Sequence, residues 1–196
     1  MFIFDNLLTF VISHEVGHFY HEHGKRFTTN NVILDDVEGH RKINTNDLVS
    51  SHARELAADN YAFDTLLDNI ENTIQTHIRS FSPLFKEKNG SVILTILIIS
   101  CYFQMMDGSS GHEHFNSTHP EAAMRGCSVM ATYVENLKEG EENKVSGIFA
   151  VVIDLLTNIF STLDVEYKFD WAGRMAEPKM KLWHFEVFNE CSKWVK

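Results

Sequence analysis

Residues 14–18 read His-Glu-Val-Gly-His, and they lie inside a predicted helix that covers residues 5–24. Asp5 or Asn6 is a suitable N-cap for this helix, and Gly24 is a suitable residue to end it. The two histidines are four positions apart, so they project from the same face of the helix, one turn apart. Two imidazoles in this arrangement suit two corners of a tetrahedral zinc site.

Glu15 lies directly beside the first histidine, where a carboxylate can act as a general base. In a zinc hydrolase it would take a proton from a zinc-activated water and later pass it to the leaving amine. The alternative is a helix whose histidines are only solvated, as the nearby sequence His21-Glu22-His23 would illustrate. The spacing therefore indicates a metal site that still needs a third ligand.

The third ligand distinguishes the classes of zinc peptidase that share this motif. The metzincin continuation, HExxHxxGxxH, would need glycine at position 21 and histidine at position 24, but the chain has His21 and Gly24. Glu38 has the spacing of the third ligand in the thermolysin-like class. It lies in an acidic stretch, residues 34–39, that is typical of a turn, so a solvated loop charge is the preferred interpretation.

Glu55 is the preferred third ligand. It lies on a helix predicted for residues 47–69, with a bent continuation toward residue 78 left open. Glu55 and Asp59 are four positions apart and share one face. The helix also carries small residues that would let it lie close against the first helix, namely Ala53, Ala57, Ala58 and Ala62. Glu55 would then bind zinc, and Asp59 would accept a hydrogen bond from the outer nitrogen of a ligand histidine. The alternative is a pair of surface carboxylates.

Three ordered segments resemble a known family. The sequences HEVGH (residues 14–18) and ELAADNYA (residues 55–62) resemble the HExxH and ExxADxxA motifs of gluzincin peptidases related to the CaaX prenyl protease and the heat-shock membrane protease. Residues 118–125, THPEAAMR, match the Thr-His-Pro and arginine motif of the same family. More distant resemblances are to the Lit-type phage-exclusion peptidases and to the ImmA-type repressor-cleaving peptidases.

The resemblance implies a zincin-like fold and one zinc ion per chain, bound by His14, His18 and Glu55. It implies that Glu15 is the catalytic base. These relatives have membrane helices and further structure before the HExxH helix, and this chain shows neither, so the resemblance leaves substrate recognition open.

The resemblance also implies that His119 and Arg125 lie at the site, where either would stabilise the oxyanion. The alternative for His119 is that its neutral imidazole occupies the fourth coordination position of the zinc ion. The alternative for Arg125 is that it pairs with a buried carboxylate. Read from the residues alone, Thr118, Pro120 and Glu121 also fit a capping box that begins a helix.

The rest of the chain predicts further helices and little strand. Helices are expected at residues 91–106, 118–139 and 145–163, with a possible extended segment at 28–36, a glycine- and serine-rich loop at 107–117, and an aromatic-rich tail at 165–196 that is helical or a strand pair. His112, Glu113 and His114 in that loop are more easily explained as solvated than as a second metal site. The prediction is a mainly α, single domain over residues 1–196, with a motif-bearing part at 5–138 and a C-terminal helix and tail at 139–196.

Composition excludes several classes of protein. The chain has 196 residues, enough for one domain with a sizeable core, and a formal net charge of −10. This charge argues against binding to nucleic acid, whose affinity for proteins comes mostly from neutralised phosphates. Three well-separated cysteines predict neither a disulfide framework nor a CxxC metal pair. The apolar stretch 92–103 is shorter than the roughly 17–25 residues of a membrane-spanning helix, so a buried core helix is expected there. The N-terminus lacks the basic region of a signal peptide.

These observations predict a cytoplasmic, zinc-dependent endopeptidase that acts on a protein or peptide substrate, binds no nucleic acid and has no membrane span. Two alternatives stay open at this point. One is a soluble bacterial defence-type peptidase with a single narrow protein substrate. The other is a non-catalytic protein that uses its zinc site while binding a partner. The oligomeric state is not indicated by the sequence.

Overall fold

The computed structural model describes residues 2–24, 45–77, 82–86, 89–107, 117, 119–135, 137, 142–163 and 171–196. Every regular element within these residues is helical, so the predicted mainly α fold is confirmed. The helices are α1 (Phe2–Tyr20), α2 (Thr45–Thr76), α3 (Pro83–Lys86), α4 (Gly90–Asp107), α5 (Ala122–Glu135), α6 (Glu142–Thr162), α7 (Trp171–Ala176) and α8 (Pro178–Cys191). The extended segment predicted at residues 28–36 lies outside the described residues.

Helix α2 is the central element, and α1, α4, α5 and α8 all pack against it. Its buried side chains, from Ala62 to Ile74, join those of α4 and α6 in the main core. Helix α4 is apolar on nearly all sides because α2, α5 and α6 cover it. The prediction that residues 92–103 form a buried core helix is therefore confirmed. Among the described helices, none has the length and apolar character needed to cross a membrane.

A second, smaller core lies beside the part of α2 that carries Glu55. It contains Ala53 and Leu56 of α2, Met124 of α5, and Met180 and Val187 of α8. The aromatic-rich tail is therefore helical in its described part, α7 and α8, and not a strand pair. This packing places α8 against the helix that holds two of the predicted site residues.

Helices α1 and α2 approach each other closely at Gly17. A Cβ atom built at Gly17 would lie 3.1 Å from the Cα atom and 3.2 Å from the carbonyl oxygen of Ala58. Both are backbone atoms of α2 and cannot rotate away. The predicted role of small residues on α2 is confirmed at Ala58, whereas Ala53 packs in the second core instead.

Three predicted helix ends are wrong. Helix α1 begins at Phe2 and ends at Tyr20, so neither Asp5 nor Asn6 is its N-cap, and Gly24 does not end it. The chain turns instead at Glu22, which has a φ of 57°. Helix α5 begins at Ala122, not near residue 118; Thr118 lies outside the described residues.

The predicted capping box is also wrong. The backbone N–H of Arg125 donates to the carbonyl oxygen of Glu121 at 3.0 Å, which makes Glu121 the residue before the helix and not its third residue. The Glu121 carboxylate accepts hydrogen bonds from the Arg174 guanidinium of α7, at 2.9 and 3.0 Å. The Glu121 carboxylate therefore pairs with Arg174, which is distant in the sequence, and does not have the capping role that the local pattern predicts.

Replacing Gly17 with alanine is expected to destabilise the protein by about 1–3 kcal/mol, because the added methyl group overpacks the contact with the α2 backbone. Gly147→Ala is the matched control. Gly147 lies within α6 and a Cβ atom there meets nothing within 4 Å, so this change is expected to stabilise by about 0.5–1 kcal/mol. Urea unfolding measures both. A Gly17→Ala protein as stable as Gly147→Ala would contradict the close contact.

Candidate metal centre and active site

Three side chains from α1 and α2 converge on one point. The Nε2 atoms of His14 and His18 are 3.1 Å apart, and they lie 3.4 Å from Oε2 and from Oε1 of the Glu55 carboxylate, respectively. Zinc bonds of about 2.0–2.1 Å in a tetrahedron place two ligand atoms about 3.3 Å apart. With one donor atom taken from each side chain, the three atoms lie within 4.8 Å of one another, so the residues present fit a zinc ion. In the described part of the chain, they form the group whose donor atoms could hold a metal ion.

The outer nitrogen of His14 faces a buried ion pair. Its Nδ1 lies 2.9 Å from Oδ1 of Asp59, the contact that the sequence predicts for a positioning carboxylate. Arg125 of α5 donates to the same carboxylate from Nε at 2.7 Å and from Nη2 at 2.6 Å. Its guanidinium also lies over the ring of Phe103, 4.3 Å from the centroid. Arg125 therefore has the geometry of the partner of a buried carboxylate, one of the two roles left open for it.

Burial and neighbouring charges shift the pKa values of Glu55, Asp59 and His14 in opposite directions. Burial favours the neutral carboxyl of Glu55, but the imidazoles of His119, His14 and His18 outweigh this and hold its pKa well below the usual range. Burial likewise opposes ionisation of Asp59, and Arg125 outweighs it and lowers that pKa. Burial lowers the pKa of His14, yet Asp59 and Glu55 raise it to about 9. Both carboxylates are therefore ionised, as a cation site requires.

The outer nitrogen of His18 has a partner that sequence reasoning missed. Nδ1 of His18 lies 2.7 Å from Nδ1 of His23. The side chains of His21 and His23 are only 4% and 3% exposed, so the interpretation of this stretch as solvated decoration is wrong. The pKa of His23 falls to about 4 because it is buried. The helical pattern gave no signal for this contact, since it depends on the turn at Glu22.

His119 lies at the same carboxylate as the two histidines of α1. Its Nδ1 is 3.1 Å from Oε2 of Glu55, and its side chain is 65% exposed. The hydrogen bond to Glu55 raises the pKa of His119 against the effect of burial. The structure therefore brings together residues that are 64 positions apart in the sequence.

Another buried histidine, His52, is hydrogen-bonded to the backbone of Ser117, close to His119 in the sequence. The Ser117 hydroxyl accepts a hydrogen bond from the backbone N–H of His119 at 3.2 Å. Nε2 of His52 donates to the carbonyl oxygen of Ser117 at 2.8 Å, and the indole N–H of Trp183 donates to Nδ1 of His52 at 3.1 Å. Burial lowers the pKa of His52 to about 4, which fits one nitrogen donating and the other accepting. From the sequence, His52 is expected only to border the helix face that carries Glu55 and Asp59.

A cavity of about 320 Å³ opens beside these groups. Its polar lining residues include His14, Glu55, His119, Arg125 and the exposed Glu15. Its apolar lining residues include Phe10, Val11, Tyr102, Phe103 and Met106. The residue predicted as the base therefore lines the same cavity as two of the candidate ligands, His14 and Glu55.

The sequence offers further candidate ligands besides these three. Glu38 and residues 112–114 lie outside the described residues. The three cysteines are free thiols, as their number and spacing predict. Burial raises the pKa of the Cys101 and Cys127 thiols to about 11 and that of Cys191 to about 12. These thiols are therefore protonated near neutral pH and have neither the charge of a metal ligand nor that of a nucleophile.

Asp59→Asn is expected to reduce stability by about 3–5 kcal/mol, because it leaves the Arg125 charge buried without a counter-charge. Zinc affinity is expected to fall about 10–100-fold, because the outer nitrogen of His14 loses its carboxylate. Asp64→Asn on the same helix is the control. The residue is exposed, and the pKa of its carboxyl group is raised by partial burial of that group and by the charge of Asp68. Equal effects of the two changes, in urea unfolding and in zinc titration, would contradict the role of Asp59.

One of the comparisons with known proteins identifies a family. The sequence model of the Peptidase U49 family matches residues 3–149, which include every residue named above as a candidate ligand or base. No curated protein and no solved structure matches the chain. The family is that of the Lit-type peptidases, so the more distant resemblance is confirmed at the level of the family. The resemblance to the CaaX prenyl protease stays a prediction. The chain belongs to the Peptidase U49 family, and the protein is a peptidase.

Proposed function

We propose that this peptidase is a zinc-dependent endopeptidase in which Glu15 is the general base. The observation that carries the proposal is the convergence of two imidazoles on one carboxylate. The Nε2 atoms of His14 and His18 are 3.1 Å apart, and they lie 3.4 Å from Oε2 and from Oε1 of Glu55, respectively, which are distances close to the edges of a zinc tetrahedron. His14, His18 and Glu55 would hold one zinc ion per chain. Bound there, zinc supplies Lewis-acid polarisation of the scissile carbonyl and lowers the pKa of the attacking water toward neutrality.

Glu15 would move the protons of the reaction. It follows His14 on α1 and lines the same cavity as His14 and Glu55. It takes a proton from the attacking water as the C–O bond forms, and it delivers that proton to the amine nitrogen as the C–N bond breaks. A site that held zinc only for structure would have no use for a carboxylate in this place, which disfavours the non-catalytic alternative.

His119 would stabilise the oxygen on which negative charge develops. Its Nδ1–H donates to Glu55, and the raised pKa favours a proton on Nε2 as well. The exposed side chain lines the cavity, so this second N–H is available to a substrate oxygen. Arg125 is the weaker candidate for this role, because its Nε and Nη2 both donate to Asp59. We assign it to positioning Asp59.

The substrate would be a protein or peptide with an apolar side chain beside the scissile bond. Phe10, Tyr102 and Phe103 give the cavity an apolar part of its lining, which adjoins the polar groups that would act on the bond. An apolar side chain seated there gains from burial while its carbonyl faces His119. A single narrow protein substrate is compatible with this arrangement, so activity is best sought by labelling new N-termini across a proteome.

Glu15→Gln is expected to keep the fold and the zinc while hydrolysis falls by several orders of magnitude. Glutamine has the shape of glutamate but cannot accept the proton. Zinc content per chain, circular dichroism and the count of new N-termini are measured together. The control is Glu186→Gln, which alters an exposed glutamate of α8 and should leave cleavage unchanged. Cleavage at the unmodified rate by Glu15→Gln would contradict the mechanism.

A further inference from the structure

A chain of polar atoms runs from His18 to the backbone of residues 191–196. Nδ1 of His18 is 2.7 Å from Nδ1 of His23, and Nε2 of His23 is 3.0 Å from the carbonyl oxygen of Trp194. His23 and Trp194 are 171 positions apart in the sequence. Residues 191–196 begin at the last residue of α8 and lie beyond the part of the chain that the family matches.

We propose that the 191–196 segment is a positioning element of the metal centre. The carbonyl of Trp194 fixes the hydrogen of His23 on Nε2, and His23 in turn fixes the hydrogen of His18 on Nδ1. The Nε2 lone pair of His18 is thereby directed to the metal. This inference rests on the proposed zinc site.

The direction of the two hydrogen bonds follows from which atoms can donate. A histidine that binds a metal through Nε2 carries its hydrogen on Nδ1. That N–H of His18 can donate only if Nδ1 of His23 presents its lone pair, which leaves the hydrogen of a neutral His23 on Nε2. A carbonyl oxygen accepts and never donates, so the Trp194 carbonyl favours this one arrangement at both histidines.

The distances distinguish this relay from a second metal site. Two nitrogens bound to one zinc ion lie about 3.3 Å apart, whereas the two Nδ1 atoms are 2.7 Å apart. A separation of 2.7 Å is at the short end of the hydrogen-bond range and well below the zinc edge, whereas the 3.1 Å between the Nε2 atoms of His14 and His18 is close to that edge. His23 is therefore a partner of a ligand and not a ligand itself.

The local backbone is built to make this contact. After α1 ends, Glu22 adopts a φ of 57°, which is uncommon for a residue with a side chain. This turn brings His23 back onto His18. The neighbouring His21 accepts a hydrogen bond at Nδ1 from the backbone N–H of Lys196, at 3.1 Å. The Lys196 ammonium also donates to Oε1 of Glu22, at 3.3 Å. The turn and the 191–196 segment therefore meet at His21, Glu22 and His23.

The side chain of Trp194 holds its own carbonyl in place. Its ring lies under the guanidinium of Arg54, with the guanidinium carbon 5.2 Å from the ring centroid, and its indole N–H donates to Glu190 at 3.3 Å. Its backbone N–H donates to the carbonyl oxygen of Cys191 at 2.8 Å. Arg54 precedes Glu55 in α2. The helix that supplies the third candidate ligand therefore also contacts the Trp194 side chain.

The first test measures the zinc dissociation constant by competition with a chelator. His23→Phe removes the acceptor and is expected to weaken zinc binding about 10–100-fold, as loss of a partner of a ligand histidine does. His23→Gln is expected to recover part of this loss, because an amide offers both an acceptor and a donor. His184→Phe is the control, since this half-buried histidine of α8 contacts Phe188 and no candidate ligand, and it should bind zinc as the unmodified chain does.

The second test addresses the segment itself. Deleting residues 192–196 is expected to weaken zinc binding by a factor similar to that of His23→Phe. Combining the deletion with His23→Phe should add little further loss, because both changes interrupt one relay. In the zinc-loaded protein, proton and nitrogen-15 NMR should show a hydrogen on Nδ1 of His18 that is protected from exchange in the unmodified chain and unprotected in both variants.

Each result separates this inference from the proposed function. Zinc bound with unchanged affinity by folded His23→Phe and by the deletion variant would overturn the relay and leave the zinc site standing. Two zinc ions in the unmodified chain and one in His23→Phe would make His23 a ligand and would also overturn it. A chain that binds no zinc at all would overturn both proposals.

Discussion

The close approach of α1 and α2 at Gly17 is the constraint on which the candidate site depends. Gly17 lies between His14 and His18 on α1, and it faces the backbone of Ala58, which follows Glu55 on α2 by three residues. Packed helices usually keep their axes about 8–10 Å apart, depending on the side chains at the contact. A glycine against an alanine permits the short end of this range. Because the histidines and the glutamate are one turn from this contact, the same packing that joins the helices also assembles the three candidate ligands.

The two histidines of α1 are oriented by partners of different kinds. His14 donates to Asp59, a buried carboxylate whose charge Arg125 balances. His18 faces His23, an imidazole kept neutral by burial. Buried ion pairs contribute little net stability, since desolvation offsets most of the attraction, and their clearer role is to fix geometry. Here the pair fixes α5 against α2, and the Glu121–Arg174 pair fixes the start of α5 against α7. The site is thus held by long-range contacts from α5 and from the region of α8.

The sequence predicts the parts of this structure that depend on local spacing. Helical periodicity predicts α1, α2, α4 and α6 to within a few residues, and the four-residue spacings identify the faces of His14, His18, Glu55 and Asp59. What the sequence does not predict depends on contacts between distant segments. His23 needs both a positive φ at Glu22 and a carbonyl from residue 194. His52 acts through Ser117 and Trp183, 65 and 131 positions away. The Glu121 carboxylate pairs with Arg174, so the local capping pattern fails.

The zinc content of two glutamate variants tests the central claim most directly, because both glutamates have a spacing found among third ligands of such sites. Our account predicts about one zinc per chain, measured by elemental analysis, in the unmodified protein and in Glu38→Ala. It predicts that Glu55→Ala loses the metal and unfolds at a lower temperature, because metal binding is coupled to folding. Loss of zinc from Glu38→Ala together with retention in Glu55→Ala would contradict the assembly of the site by α1 and α2.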